Sequence, residues 1–248
     1  MAGARIIGGK LLHYSSLPST MEAAAREARR GVAEGTVVWA DEQLTGRGRK
    51  GRDWISPRGG LFLSVVLRPT TPQLPSLLML ASVAMVRVLG RLFRLHARLK
   101  WPNDVLIRGK KVSGVLVESS FRGEVLEYAV IGMGLNANFD PGAYPEVSAT
   151  ATSLSRELGR EVDLMEVLDA LLWELDGLYR QLRAGGSVFD EWRGFLETLG
   201  QRVRVIGPGL EEEGLAQDVM ADGRLLLLRK DGHRIEIPAG EVSLLPGC

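Results

Sequence analysis

A nine-residue segment, Gly46-Arg-Gly-Arg-Lys-Gly-Arg-Asp-Trp54, constrains the fold of this chain most strongly. It contains three glycines and four cations, so it has little apolar surface to bury and too many charges to desolvate in a core. Strands are predicted on either side of it, at residues 36–42 around the apolar residues 37–40 and at residues 61–67. The segment, called the glycine loop from here on, therefore connects two strands and is exposed either to solvent or to a ligand.

The glycine spacing Gly46-x-Gly48-x-x-Gly51 matches the dinucleotide-binding fingerprint, but no helix is predicted after it. Since that fold holds a pyrophosphate at a helix N-terminus, the sequence argues against it. The loop instead suggests a site where backbone N–H groups and arginines wrap a polyanion such as a nucleoside triphosphate, with Trp54 offering a face to a base. The alternative is a surface loop that contacts nucleic acid or nothing.

The composition is that of a globular protein with a sizeable core, at 248 residues, 45% hydrophobic and 25% charged. A net charge of +1 argues against nucleic-acid binding over the whole surface. The longest apolar run, residues 77–86, is about half the length that spans a bilayer, so it predicts a buried helix and no membrane partner. The single cysteine, Cys248, excludes an intrachain disulfide and fits a cytoplasmic protein. The three histidines lack metal-ligand spacing, so no protein-held metal is predicted.

Two hydroxyls open the first predicted helix. Ser19 and Glu22 have the spacing of a capping box, and the helix is expected to stop at Gly31. Alternatively, Ser19 and Thr20 form a small polar pocket at the helix start. Gln43 precedes the glycine loop, which places it at the mouth of the loop.

A lysine stands at the start of an apolar strand further along. Pro102 interrupts a strand and leaves Asn103 and Asp104 at the break, and a hairpin turn at residues 108–109 then leads to Lys111. Such a lysine is usually a solvated edge residue. However, Gly114 follows on the same strand, where a missing side chain would let a ligand approach the backbone.

The predicted strand at residues 130–138 alternates in an unusual way. Its odd positions are apolar, whereas its even positions are Gly132, Gly134, Asn136 and Asn138. Because alternate residues face opposite sides of a strand, one face packs and the other is bare backbone followed by amides. The bare face predicts room for something that is not protein.

The rest of the chain is predicted to be structural. Amphipathic patterns predict helices at residues 152–158, 163–182 and 188–199. After Gly200 the pattern changes to short strands separated by glycine-rich turns, which predicts a small closed β-module. Its strands are expected at residues 202–206, 214–220, 225–229, 234–237 and 241–245. We therefore predict a catalytic domain over residues 1–199 and a C-terminal domain over residues 200–248.

Four motifs together resemble the ordered motif set of biotin protein ligases. They are the glycine loop, Lys100-Trp-Pro-Asn-Asp104, Lys111-Val-Ser-Gly114 and Gly132-Met-Gly-Leu-Asn-Ala-Asn138, preceded by Ser19-Thr20 and Gln43. Their order across about 120 residues is far more specific than any single motif. The resemblance implies an α+β fold with a mixed β-sheet flanked by helices, related to class II aminoacyl-tRNA synthetases, and a small C-terminal SH3-like β-barrel.

The resemblance also implies a reaction. Biotin and ATP would condense to biotinyl-5'-adenylate with release of pyrophosphate, and biotin would pass to one lysine of a biotin carboxyl carrier protein such as that of acetyl-CoA carboxylase. Mg²⁺ is expected to arrive with the phosphates. The implied catalytic residues are Lys111, Arg47, Arg49 and Asp104. The implied biotin-binding residues are Ser19, Thr20, Met21, Gln43, Gly46, Arg47, Gly48, Arg49, Lys111 and Gly114. The implied ATP-binding residues are Arg49, Arg52, Trp54, Asn103, Lys111 and Asn136.

Two features set this chain apart within the resemblance. Met21 stands where the family more often has asparagine, so a contact to the biotin ureido group would run through the backbone or be lost. The pocket motif begins by Ser19, which leaves no room for the winged-helix repressor domain of some members, so no DNA partner is expected. Asp104 would orient Lys111, aid deprotonation of the acceptor lysine, or serve only the turn. A homodimer is one option for the assembly.

Three other functions compete with this one. A lipoate protein ligase shares the fold, but its Gly-Gly-Gly and His-Asp motifs do not occur in this chain. A nucleic-acid-binding module would use the arginines of the glycine loop and would leave Lys111 and the bare strand face unexplained. A third possibility is that the loop mediates only a contact between subunits.

Overall fold

The computed structural model describes residues 5–207 and 209–245, so Cys248 lies outside the described residues. Within these residues the chain forms two β-sheets and five α-helices. The strands are β1 (Leu11–Tyr14), β2 (Val37–Ala40), β3 (Leu61–Leu67), β4 (Ala97–Lys100), β5 (Asp104–Ile107), β6 (Lys110–Arg122), β7 (Val125–Leu135), β8 (Arg202–Gly207), β9 (Leu210–Val219), β10 (Leu225–Leu228), β11 (Arg234–Ile237) and β12 (Glu241–Leu244). The helices are α1 (Thr20–Arg29), α2 (Leu74–Phe93), α3 (Leu154–Leu158), α4 (Leu164–Arg183) and α5 (Phe189–Phe195).

The first sheet has seven strands in the order β1-β2-β3-β7-β6-β5-β4. The pair β1–β2 is parallel and the other neighbours are antiparallel, so the sheet is mixed. Helices cover both of its faces, which explains why every residue of β3 is buried. Leu63 and Val65 of β3 belong to the core that contains α2 and α4, whereas Val66 belongs to the core that contains α1. The predicted mixed sheet flanked by helices is confirmed.

The apolar run at residues 77–86 lies within α2, as predicted for a buried helix. By length and composition alone, the segment Thr71–Phe93 could cross a membrane, with a mean hydropathy of 1.7. In this fold α2 lies between the sheet and α4, and its middle turns from Met79 to Met85 are buried without interruption. The apolar side chains of α2 are therefore buried in the core of the protein.

The C-terminal sheet has five antiparallel strands in the order β11-β10-β9-β8-β12. All five predicted strands are present, with β9 beginning at Leu210, four residues before its predicted start. In the described part of the chain, pairing does not join the edge strands β11 and β12. Closure into a barrel, like the domain boundary at Gly200, therefore stays a prediction.

Trp101 connects the C-terminal sheet to the first one. Its side chain is 2% exposed, and its indole Nε1 donates a hydrogen bond of 2.8 Å to the carbonyl oxygen of Gly223. Its backbone N–H donates to the hydroxyl of Thr198 at 2.9 Å. The Trp-Pro motif thus has a structural role between the two sheets in addition to ending β4.

Two local predictions were wrong. The Ser19–Glu22 capping box does not form: the Ser19 side chain makes no capping bond, and the first helical N–H, that of Thr20, donates to Gln43 instead. The strand predicted over residues 130–138 runs from Val125 to Leu135. Pairing with β3 stops at Leu61–Leu135, whereas on the other side the Asn136 N–H still bonds to the carbonyl of Val112 in β6.

We expect Trp101→Phe to lower the free energy of unfolding by about 1 kcal/mol, because the Gly223 carbonyl loses its partner in a buried setting. Urea unfolding monitored by circular dichroism measures this loss. Trp173→Phe is the matched control, since Trp173 is 53% exposed on α4 and should change stability by less than about 0.5 kcal/mol. Equal losses in the two variants would contradict the proposed connection.

Candidate functional site

A cavity of about 760 Å³ lies between the start of α1, the glycine loop, the ends of β5 to β7 and strand β12. It is lined by nearly all the site residues predicted from the sequence: Ser19, Thr20, Met21, Gln43, Arg47, Gly48, Arg49, Arg52, Trp54, Asn103, Asp104, Lys111, Gly114 and Asn136. Gly46 is the exception, and its role is in the loop itself. The fold thus collects motifs spread over more than one hundred residues into one site.

Gln43 organises the polar end of the cavity. Its amide oxygen accepts hydrogen bonds from the backbone N–H of Thr20 at 2.8 Å and from the Thr20 hydroxyl at 3.0 Å. Its amide nitrogen donates to the hydroxyl of Ser56 at 2.9 Å. The hydroxyl of Ser19 is buried and has no partner. Because buried polar atoms are rarely left unsatisfied, the Ser19 hydroxyl is a free hydrogen-bonding group of the cavity wall.

The glycine loop is a closed hairpin. Its backbone is held by a bond of 2.7 Å from the Gly48 N–H to the Arg52 carbonyl and by one of 2.9 Å from the Trp54 N–H to the Gly46 carbonyl. A single 3₁₀ turn over Arg49–Gly51 forms its tip, with Lys50 in the left-handed region at φ 57°. A Cβ at Gly46 would lie 2.4 Å from the Trp54 carbonyl oxygen, so this close approach requires glycine. No α-helix follows, as expected from the sequence.

Two arginines of the loop contact elements that border the cavity. Arg47 pairs with Glu22 of α1 at 2.6 Å. Arg49 donates to the side-chain oxygen of Asn103 at 3.2 Å and to the carbonyl of Gly240 at 3.3 Å. Burial lowers the pKa of Arg49 from its usual value, and the nearby carboxylates of Asp104 and Glu241 oppose that shift.

The other two cations of the loop contact the C-terminal sheet. Lys50 donates to the carbonyl of Ile206 at 3.2 Å, and Arg52 forms an ion pair with Glu241 at the start of β12. Sequence reasoning missed Glu22 and Glu241 as partners of the loop. Nothing in the sequence signals the contact between Arg52 and Glu241, because the two residues are far apart along the chain.

Trp54 lies on the bare face of the central hairpin. A Cβ at Gly134 would come within 2.4 Å of the Trp54 indole nitrogen, and one at Gly114 within 3.1 Å of the ring. A Cβ at Gly132 would likewise meet the Met21 sulfur at 2.4 Å. Side chains of the glycine loop and of α1 therefore cover part of this face. Gly114, Gly132 and Gly134 still line the cavity, so the space predicted beside this face is present. The indole nitrogen of Trp54 is itself buried without a partner.

Lys111 and Asp104 form an ion pair at the centre of the cavity wall. The Lys111 Nζ lies 2.6 Å from Asp104 Oδ1 and 5.0 Å from the centre of the Trp54 ring. The carboxylate and the ring face both attract the Lys111 ammonium group and hold it in place. The backbone of Lys111 is fixed by bonds to Thr150 and Thr152. This arrangement presents a positioned cation to any anion in the cavity.

The two asparagines of the site bind backbone groups. The Asn103 amide nitrogen donates to the carbonyl of Val115 at 2.7 Å, while its oxygen holds Arg49. The Asn136 amide nitrogen donates to the carbonyl of Thr152 at 3.0 Å. Both residues therefore fix the cavity wall, and direct contacts from either side chain to a ligand stay a prediction.

The segment of residues 139–151 forms part of the cavity wall and was missed from the sequence. Phe139, Glu146 and Val147 are among its lining residues. The segment lacks a recognisable motif, so its position follows from the pairing of residues 150–152 with Lys111. Among the described residues, no group of three or more His, Cys, Asp or Glu side chains could hold a metal ion.

We expect Gly134→Ala to destabilise the protein by about 1–3 kcal/mol, because the new methyl group would displace Trp54 from β7. Urea unfolding measures the change. Gly177→Ala on α4 is the control, since nothing lies within 4 Å of its added carbon and alanine favours a helix by up to about 1 kcal/mol. A Gly134→Ala variant as stable as the parent protein would show that Trp54 does not rest on this strand.

Comparison with known proteins gives a consistent family. The Biotin/lipoate A/B protein ligase family model matches residues 14–136, and the Biotin protein ligase C terminal domain model matches residues 198–245. The bifunctional ligase/repressor BirA of Bacillus subtilis is 34% identical over 96% of this chain and 75% of its own length. The biotin–[acetyl-CoA-carboxylase] ligase of Paracoccus denitrificans is 34% identical over 86% of this chain and 91% of its own.

A solved structure agrees with these relatives. The biotin protein ligase from Aquifex aeolicus in complex with biotin and ATP superposes with a TM-score of 0.80 and 31% identity, covering 96% of this chain and all of that one. The likeness therefore includes both sheets and the cavity between them. On the two family models, the curated relatives and this structure, the chain belongs to the biotin protein ligase family.

Proposed function

We propose that the cavity activates biotin with ATP to biotinyl-5'-adenylate, releases pyrophosphate, and transfers biotin to a lysine of a biotin carboxyl carrier protein. The observation that carries this proposal is the assembly of Lys111, Arg49, Trp54 and the unpartnered Ser19 hydroxyl around one cavity. The Aquifex aeolicus relative, solved with biotin and ATP, supports the same pair of substrates. The relative from Paracoccus denitrificans, a biotin–[acetyl-CoA-carboxylase] ligase, supports the carrier of that carboxylase as acceptor.

The cations of the cavity offset the charge repulsion in the first step. A carboxylate brought to 4 Å from a phosphate costs about 4 kcal/mol per unit pair at an effective dielectric constant of 20. Lys111 and Arg49 lie on the cavity wall, where their charges would oppose this term and the charge that develops at the α-phosphate. Arg47 would contribute from the mouth of the loop. Asp104 keeps Lys111 positioned, so little reorganisation is required when the substrates bind.

The other end of the cavity suits a neutral, partly apolar ring. Met21 and Gly132 provide apolar contact, and the buried Ser19 hydroxyl offers a hydrogen bond beside them. Gln43, Thr20, Gly46 and Gly48 would support this subsite through the hydrogen bonds that shape the loop and the start of α1. The Met21 thioether has no proton to donate and accepts hydrogen bonds only weakly, so the ureido group of biotin would bind Ser19 and backbone groups here.

The triphosphate would lie along the glycine loop. Arg52 and Asn103 border this part of the cavity together with Trp54, whose ring would stack on the base of the nucleotide, while Asn136 would hold the wall behind Lys111. Mg²⁺ carried by the phosphates would neutralise their charge, largely through its own water shell. Two carboxylates of the cavity wall, Asp104 and Glu241, are paired with cations, which fits a metal ion held mainly by substrate.

A lipoate ligase is the second candidate within the same fold, and the family model that matches residues 14–136 includes both activities. The relatives named as biotin ligases favour biotin. A homodimer and a cytoplasmic location stay predictions.

We expect Lys111→Ala to reduce biotinyl-adenylate formation by at least about 100-fold, since it removes a preorganised charge from the reacting groups. Mass spectrometry of the protein with biotin, Mg·ATP and an apo carrier domain measures both adenylate and biotinylated carrier. Lys110→Ala is the matched control, because the neighbouring lysine does not line the cavity and should retain full activity. Activation of lipoate but not biotin would overturn the substrate assignment.

We expect Asp104→Asn to separate the two roles proposed for this carboxylate. If Asp104 only positions Lys111, the variant forms adenylate about 10-fold more slowly and transfers the biotin of added adenylate to carrier at the normal rate. If Asp104 accepts the proton of the acceptor lysine, transfer from added adenylate is slowed as well. Single-turnover assays with purified biotinyl-adenylate distinguish these outcomes.

A further inference from the structure

The cationic tip of the glycine loop is attached to the C-terminal sheet by three contacts. Arg49 and Lys50 donate to the carbonyls of Gly240 and Ile206, and Arg52 pairs with the carboxylate of Glu241. The first two acceptors are neutral backbone groups. Glu241 is therefore the one anionic group among these three contacts, and it lines the same cavity as Arg52.

The position of Glu241 is that of a counter-ion. Its side chain is 34% exposed and that of Arg52 is 68% exposed, so the pair lies at the cavity mouth, where solvent screens it. An exposed pair of this kind is weak and can exchange partners readily. A triphosphate carries more charge than a carboxylate and forms charge-assisted hydrogen bonds with arginine, so it would compete well for Arg52.

We propose that Glu241 is an internal anion that holds the glycine loop against the C-terminal sheet when no nucleotide is bound, and that a phosphate of ATP displaces it from Arg52. Glu241 is thus a positioning residue that acts through Arg52, and it makes nucleotide binding compete with a contact between the glycine loop and the C-terminal sheet. That the displacing nucleotide is ATP rests on the proposed function. The ion pair between Arg52 and Glu241 does not depend on that function.

Glu241→Gln tests the proposal because glutamine keeps the size of the side chain and removes its charge. Exposed ion pairs are worth up to about 1 kcal/mol, so we expect the KM for ATP to fall about two- to fivefold. The KM for biotin and kcat should change by less than about twofold, because the pair does not reach the biotin subsite. In an Arg52→Ala background, Glu241→Gln should have no effect on the KM for ATP.

Glu236→Gln is the matched control. Glu236 belongs to the same C-terminal sheet and also pairs with an arginine, Arg224, but neither residue lines the cavity. This variant removes the same charge from the same sheet and should leave the KM for ATP unchanged. An equal fall in both variants would mean that net charge, rather than the contact with Arg52, determines the affinity.

Trypsin cleavage of the ligand-free protein gives a readout that needs no activity. Cleavage after Arg47, Arg49, Lys50 or Arg52 should be about two- to fivefold faster in Glu241→Gln than in the parent protein and in Glu236→Gln. Unchanged cleavage would overturn the proposal. A rise in the KM for ATP would also overturn it, because it would make Glu241 a direct ligand of the nucleotide. If the parent protein releases no pyrophosphate with biotin and ATP, the proposed function fails, while calorimetric ATP binding and the cleavage rates still decide the role of Glu241.

Discussion

The site depends on a backbone surface without side chains. On the central hairpin of β6 and β7, glycines at positions 114, 132 and 134 let the rings and chains of other elements come within van der Waals distance of the strands. Any larger residue there would collide with Trp54 or Met21. The cavity therefore has a rigid sheet as its floor, and the groups that can move are those of the glycine loop and of α1. Ligand recognition is built on a surface that a single methyl group would change.

Charge balance is the second organising constraint. The four cations of the glycine loop lie close together, and each has an acceptor elsewhere in the protein: a carboxylate for Arg47 and Arg52, and neutral oxygens for Arg49 and Lys50. Lys111 is balanced by Asp104. Without these partners the cationic side chains of the cavity would repel one another. The same partners keep these side chains oriented for an anionic ligand. The same charged side chains therefore form ion pairs within the fold and face the cavity where a ligand would bind.

Much of the fold and of the site was predictable because the signals were local. Apolar runs and glycine-rich turns located most of the strands, and the alternation of glycine with apolar residues identified the special face of β7 from the sequence alone. What covers that face was not predictable, since Trp54 and Met21 come from other elements. Ser19 shows the same limit: its spacing to Glu22 is that of a cap, but Gln43, which is distant in sequence, takes over the start of α1 and leaves the serine hydroxyl free. Long-range contacts thus decided against the cap that the local pattern favoured.

The C-terminal sheet belongs to the functional site as well as to the scaffold. Trp101 fixes it to the end of β4 by a buried ring, two residues before the asparagine that holds Arg49. The same short motif therefore determines where the sheet docks and where the arginine points. Because β12 borders the cavity opposite the sheet floor, a shift of the docked sheet would change the distance between its carboxylate and the glycine loop. The geometry of the cavity at the tip of the glycine loop is consequently set by packing between the two sheets, whereas its geometry at the start of α1 is set within the first sheet and its helices.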